Sequence, residues 1–134
     1  MRLVQFFAWM TFGGVAIAAQ ADEVKLQGYS KSYAQCMQLS ASNPSKAEKC
    51  IKAELKIHEK QLEKNLKAYK KANPNHVQHI QQQYKFWQQQ VQQQCQVAKT
   101  ANFGRLQREQ CALNMVMSQA NLYASRLMNN KSNS

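Results

Sequence analysis

From residue 29 onward the apolar positions recur every three or four residues, in runs separated by two Asn-Pro breaks, which predicts a chain built of helices. Tyr29, Tyr33, Cys36, Met37 and Ser40 set out a short first helix. Ser42-Asn43-Pro44-Ser45 ends it. Pro44 suits the first position of a new helix and Asn43 its cap, with Ser45-Lys46-Ala47-Glu48 as an alternative capping box. The second helix then runs to about Lys71, carrying Ile51, Leu55, His58, Leu62, Leu66 and Tyr69 along one face. Asn73-Pro74-Asn75 breaks the pattern again, and so short a turn sends the next helix back antiparallel.

The third helix has Val77, Ile80, Tyr84, Trp87, Val91, Cys95 and Ala98 on its inward line, and glutamines fill most of its outer positions. Because apolar residues interrupt the glutamines at helical period and Gln is a good helix former, this tract reads as a polar face. Lys99 to Gly104 connects to a last helix from about Arg105 to Met128, with Leu106, Leu113, Val116, Met117, Ala120, Tyr123, Ala124 and Leu127 inward; Asn129 to Ser134 is a frayed tail. The fold class expected is all-α: a short N-terminal helix plus three longer helices in an antiparallel arrangement.

The start of the chain reads differently. Arg2 is followed by an uncharged, apolar run from Leu3 to Ala19, and Ala19-Gln20-Ala21 is a small-x-small cleavage site ahead of Asp22. Ala16-Ile17-Ala18 is a second such site. An uncleaved anchor fits less well, since the run falls short of the roughly 20 residues of a spanning helix and contains Gln5 and Gly13-Gly14. Residues 1–21 are therefore expected to be a signal peptide, with no Cys directly after the small-residue stretch to carry a lipid. Residues 22–134 form a single helical domain, its core about 29–128, placed in the periplasm or secreted.

Export changes the meaning of the four cysteines, Cys36, Cys50, Cys95 and Cys111, all of which lie beyond the leader. In an oxidising compartment an even count reads as two disulfides, and no CxxC or CxH spacing suggests zinc. The helical layout favours Cys36–Cys50 and Cys95–Cys111, each across a short connection, while Cys50–Cys95 stays open.

Charge narrows the partners. The chain carries 18 Lys and Arg against 7 Asp and Glu, and loses only Arg2 with the leader, so the exported part has a formal charge of +10. Glu48 and Lys52, and Glu63 and Lys67, are favourable pairs one turn apart, whereas Lys52, Lys56, Lys60 and Lys64 form a like-charged ridge. That ridge, with Lys99 and Arg105, is the candidate binding surface; a solvated face is its plainer reading. Export and inward aromatics argue against nucleic acid, and leave anionic envelope surfaces, peripheral membrane contact or an acidic protein as partners.

Catalytic candidates are few. Asp22 is the single aspartate and lies at the expected terminus. Glu59 and Glu63 are flanked by lysines, His58 reads as a core histidine, and His76 with His79 lack a third ligand. With the thiols oxidised there is no nucleophile–base pair, so the expectation is a non-enzyme without metal or cofactor.

The assembled pattern resembles the LprI-type lysozyme-inhibitor family of small exported bacterial helical proteins. The resemblance covers about Tyr33 to Tyr123. It rests on Cys36, Cys50 with Glu54 four residues on, Glu59, Leu62, Trp87 eight residues before Cys95, and Gly104 before Cys111. The chain departs from the family at Glu63, Leu66, Val91 and Gln119, where Asn, Tyr, Arg and Arg are usual. The resemblance implies a non-catalytic exported binding protein that inhibits lysozyme, with a changed target where the polar signature has changed. The alternative is a cationic helical envelope chaperone or anionic-surface binder.

Overall fold

Each helix begins where the local chemistry allows it to. In the computed structural model, which describes residues 24–96 and 102–132, α1 spans Lys31–Leu39 and starts at Ser30, whose hydroxyl accepts the Tyr33 amide at 3.1 Å. Helix α2 spans Pro44–Ala72, with Pro44 in the first turn and the Asn43 side chain accepting the Lys46 amide at 3.0 Å. Asn73 ends it, donating from Nδ2 to the Tyr69 carbonyl at 2.8 Å, and a 3₁₀ turn at Pro74–His76 leads into α3, Val77–Gln94. Helix α4 spans Asn102–Ser132, a turn longer at its C-terminal end than the apolar period requires. The expected signal peptide and Lys99 lie outside the described residues.

The long helices alternate in direction. Lys70 of α2 hydrogen-bonds Gln81 of α3, and Cys95 at the far end of α3 joins Cys111 of α4. Residue numbers on α2 and α4 rise together instead: Lys52 lies in the field of Glu109, Asn65 donates to the Ala120 carbonyl at 2.9 Å, and Tyr69 meets Tyr123 at 5.4 Å. Helices α2 and α4 are thus parallel, and α3 is the antiparallel crossover between them. The main packing interface joins segments far apart in sequence.

Leu62, Leu66, Ile80, Val116, Ala120 and Tyr123 form the buried core, with Leu55, Tyr69, Tyr84 and Trp87 packed against it. Leu113 and Ala124 of α4 are fully buried as well. Burying each large side chain contributes about 1.5–3 kcal/mol, so α2 and α4 supply most of the cohesion. Helix α3 supplies much less: Ile80 is its one buried residue, Val77 on the expected inward line is exposed, and Phe86 is 61 % exposed. The disulfide at its C-terminal end compensates. Helix α1 buries no residue at all and is held by other means.

Both favoured cysteine pairs are bonded. Cys36–Cys50 spans Cα atoms 5.7 Å apart and ties α1 to α2; Cys95–Cys111 spans 5.5 Å. Closing loops of this length stabilises by about 3 kcal/mol each on the chain-entropy estimate. Among the described residues, no helix is long and apolar enough to cross a membrane.

Candidate functional site

A row of polar residues runs through the buried face of α2. Glu54, His58 and Asn65 are each 3 % exposed or less, and they lie on the helix side that carries Ile51 and Leu62. The Glu54 carboxylate accepts the Ser30 amide at 2.7 Å on Oε1 and the Ser30 hydroxyl at 2.6 Å on Oε2. His58 Nε2 lies 3.1 Å from Oε1. An ionised carboxylate only accepts, so Nε2 carries the proton, and Nδ1 is then buried without a hydrogen-bond partner. Burial pushes the Glu54 carboxyl up, but the Ser30 hydroxyl and amide together with His58 outweigh it and hold the group below its ordinary value.

Ser, Glu and His are the residue types of a hydrolytic triad, but here their order is wrong for one. In a triad the histidine takes the serine proton and the carboxylate orients the histidine. Here Ser30 and His58 both donate hydrogen bonds to Glu54, so the hydroxyl points at the carboxylate rather than at the histidine and the imidazole is not placed to take its proton. The cluster is a latch: Ser30 caps α1 and is itself gripped by α2. A second clasp lies beside it, where the Asn121 side chain of α4 bonds both backbone groups of Gln27, at 2.9 and 2.8 Å. The N-terminal segment is thereby fastened to both long helices.

Trp87 occupies a different setting from the sealed seam expected of it. It is half-buried, stacks on Tyr84 at 5.4 Å, and lines an open groove of about 420 Å³ with Asn114, Met115, Ser118, Gln119 and Leu122. Helix α3 touches α4 at few places, and here the indole is only half-buried and Leu122 is exposed. Across Asn114 from this groove, Tyr29 and Tyr33 pack with their rings tilted by 31° and centroids 4.9 Å apart, and are tethered to α4, Tyr33 donating to Gln110 at 2.8 Å and Tyr29 to Asn114. The surface of α4 therefore presents aromatic rings on either side of an amide row.

The other predicted residues separate cleanly. Lys52, Lys56, Lys60 and Lys64 are all exposed on α2, and Lys52 pairs with Glu48 at 2.6 Å. Glu63 and Lys67, expected as a second pair, are both exposed and make no such ion pair among the described contacts. Arg105 lies at the start of α4 beside Glu48 and the Ser42–Ser45 turn, around a polar pocket of about 220 Å³. Of the motif positions, Leu62 is core, Glu54 is the latch, Glu59 is exposed, and Gly104 is part-exposed in the first turn of α4. His76 and His79 are exposed, with His79 against Gln83 at 3.0 Å.

Sequence reasoning missed Asn65 and the structural part played by Glu54. A helical projection places both within the buried arc, at four before His58 and three after Leu62, and that was the available signal.

Comparison of the chain with protein-family models, curated proteins and solved structures finds no match in any of the three. What the fold itself defines is a disulfide-stapled, up-down-up helical bundle with a short N-terminal helix clasped to it.

Proposed function

We propose that this is an exported, non-catalytic binding protein of the LprI-type, lysozyme-inhibitor-like kind, acting in the periplasm or outside the cell. The observation that carries the reading is the open groove at Trp87. A half-buried indole flanked by Met115, Leu122 and amide side chains is the composition of an interface anchor, where one aromatic in a pocket provides a large share of the affinity. Trp87 is also a position on which the family resemblance rests. Two disulfides suit an oxidising compartment. The groups with most chemical potential, Glu54 and His58, are spent on holding α1 and the N-terminal segment, which supports a binding role over a catalytic one.

Lysozyme is the first target to test. Animal lysozymes are strongly basic, so a chain with a net positive charge meets them against long-range repulsion, and association must rest on short-range contacts in the groove. Adding purified protein to a turbidimetric lysis assay should slow clearing by at least one animal or bacterial muramidase. Trp87→Ala should abolish the effect, and because the indole also packs on Tyr84 and the core, circular dichroism must show the helices retained under the assay conditions. Undiminished lysis by both enzyme classes would overturn the inhibitor reading.

A further inference from the structure

The solvent side of α2 has a use that neither the Trp87 groove nor the core explains. At 100° per residue, Lys49, Lys56, Lys60, Lys67 and Lys71 fall within roughly 30° of one line along the helix. All five are exposed. From Lys49 to Lys71 the row is about 33 Å long at 1.5 Å per residue. Lys46 and Lys64 flank it on one side and Lys52 on the other, all exposed, and the latter is the member tied to Glu48. The buried residues Ile51, His58 and Leu62 lie on the opposite side of the same helix, so the row points directly away from the core. Glu59 and Glu63 sit to one side of the line and do not interrupt it.

We infer that this lysine row docks the protein onto an anionic lipid bilayer surface. Three observations select that occupant. The charge is complementary and concentrated, since like charges one turn apart are mutually unfavourable and this helix accumulates them on one side. The row is unkinked, because α2 runs 29 residues with no Gly and with Pro only in its first turn, so its lysines follow one side of a continuous helix and can reach one surface together. The strip also contains no aromatic or large apolar centre; the exposed Ile57 lies at its margin. A protein interface needs such an anchor, whereas headgroup-level electrostatic binding does not. The contact is peripheral, made by long lysine side chains without insertion. It is independent of the groove, which opens between α3 and α4.

The test is co-sedimentation with vesicles, using protein purified from the periplasm of an expressing bacterium and shown by mass to lack residues 1–21. Vesicles containing phosphatidylglycerol should bind it at low salt, vesicles of phosphatidylcholine alone should not, and about 0.5 M salt should release it. Replacing Lys49, Lys56, Lys60 and Lys67 together by Gln should weaken binding about 5-fold per lysine, several hundredfold in all. The matched control replaces Lys25, Lys31, Lys85 and Lys131, which are exposed and lie outside α2, and should lose only a few fold. Gln retains helix propensity, and unchanged circular dichroism verifies both folds. Equal loss in the two variants, equal binding to both vesicle types, or no sedimentation at low salt would overturn the inference. So would row-dependent binding to a soluble polyphosphate with none to vesicles. The lysis assay with the row variant keeps this result separate from the inhibitor reading.

Discussion

Removing the Glu54 carboxylate tests whether α1 is held by the latch. Glu54→Ala deletes the acceptor of three contacts, at 2.7, 2.6 and 3.1 Å, and leaves His58 Nε2–H buried beside the unpaired Nδ1. Hydrogen bonds to a charged group are worth about 1.5–3 kcal/mol net, and removing one partner of a buried ionic cluster costs about 3–5 kcal/mol. Ser30 is only part-buried, so water re-satisfies some of its loss, and about 3–4 kcal/mol is expected. Against a domain stability of about 5–15 kcal/mol that is a large fraction. Urea melts followed by circular dichroism should show the midpoint falling by about 2–4 M, given a slope of about 1–1.5 kcal/mol/M for this size. Glu54→Gln keeps the volume and one acceptor oxygen and should cost about 1–2 kcal/mol, with a coupling to Ser30→Ala of about 1 kcal/mol or more. Hydrogen exchange should accelerate first at residues 27–34, since α1 buries nothing and Cys36–Cys50 still holds its far end. A Glu54→Ala protein within about 0.5 kcal/mol of the parent, with additive Ser30 and Glu54 effects, would refute the latch.

The same carboxylate sets a pH dependence. Its folded-state pKa is depressed, so its contribution is complete above the ordinary carboxylate range and is lost as the pH falls through the folded value; acid melts of the parent should lose stability over that window more steeply than those of Glu54→Gln. Replacing Cys95 and Cys111 by Ala should cost about 3 kcal/mol and raise exchange in residues 85–94 well above that of α2, because Ile80 is the one fully buried residue of α3. Tyr123→Ala should cost about 3–5 kcal/mol in urea melts, since the ring is 1 % exposed, packs on Tyr69, and is roofed by the Arg126 guanidinium at 5.9 Å. Trp9 and Trp87 are the two tryptophans, so in protein lacking the leader all indole emission is Trp87; occupancy of the groove should shift it to the blue, and lysozyme-dependent shifts can be read with a tryptophan-free muramidase variant.

Much of the helical layout was legible in the sequence because it follows from local rules. Asn43 before Pro44, the Asn73-Pro74 break and the 4-3-4-4-3 spacing from Ile51 to Tyr69 each act within one or two turns, and each was read correctly. The cysteine pairing was favoured, though not fixed, by the same layout. Three features required tertiary knowledge. That α2 and α4 are parallel partners follows only once α3 is known to cross between them. That Val77 faces water, and Trp87 a groove, follows from α3 leaning on the bundle rather than entering it, which periodicity cannot detect. The latch depends on Ser30, a residue 24 positions from Glu54, and on the cap geometry that aims both its amide and its hydroxyl at one carboxylate.

The two disulfides have a consequence for how the molecule is made. Each joins a cysteine to the next one along the chain, 14 and 16 residues later, and neither loop encloses or overlaps the other. A chain appearing N-terminus first presents Cys36 and Cys50 while Cys95 is still to come, so an oxidant meeting it in that order finds only the native partner. The first staple can close before α4 exists, and the second can close before the C-terminal half of α4 has followed. Correct connectivity is then favoured by the order in which the chain meets the oxidant, and oxidative refolding of the complete, fully reduced chain is where mispaired Cys50–Cys95 species should accumulate.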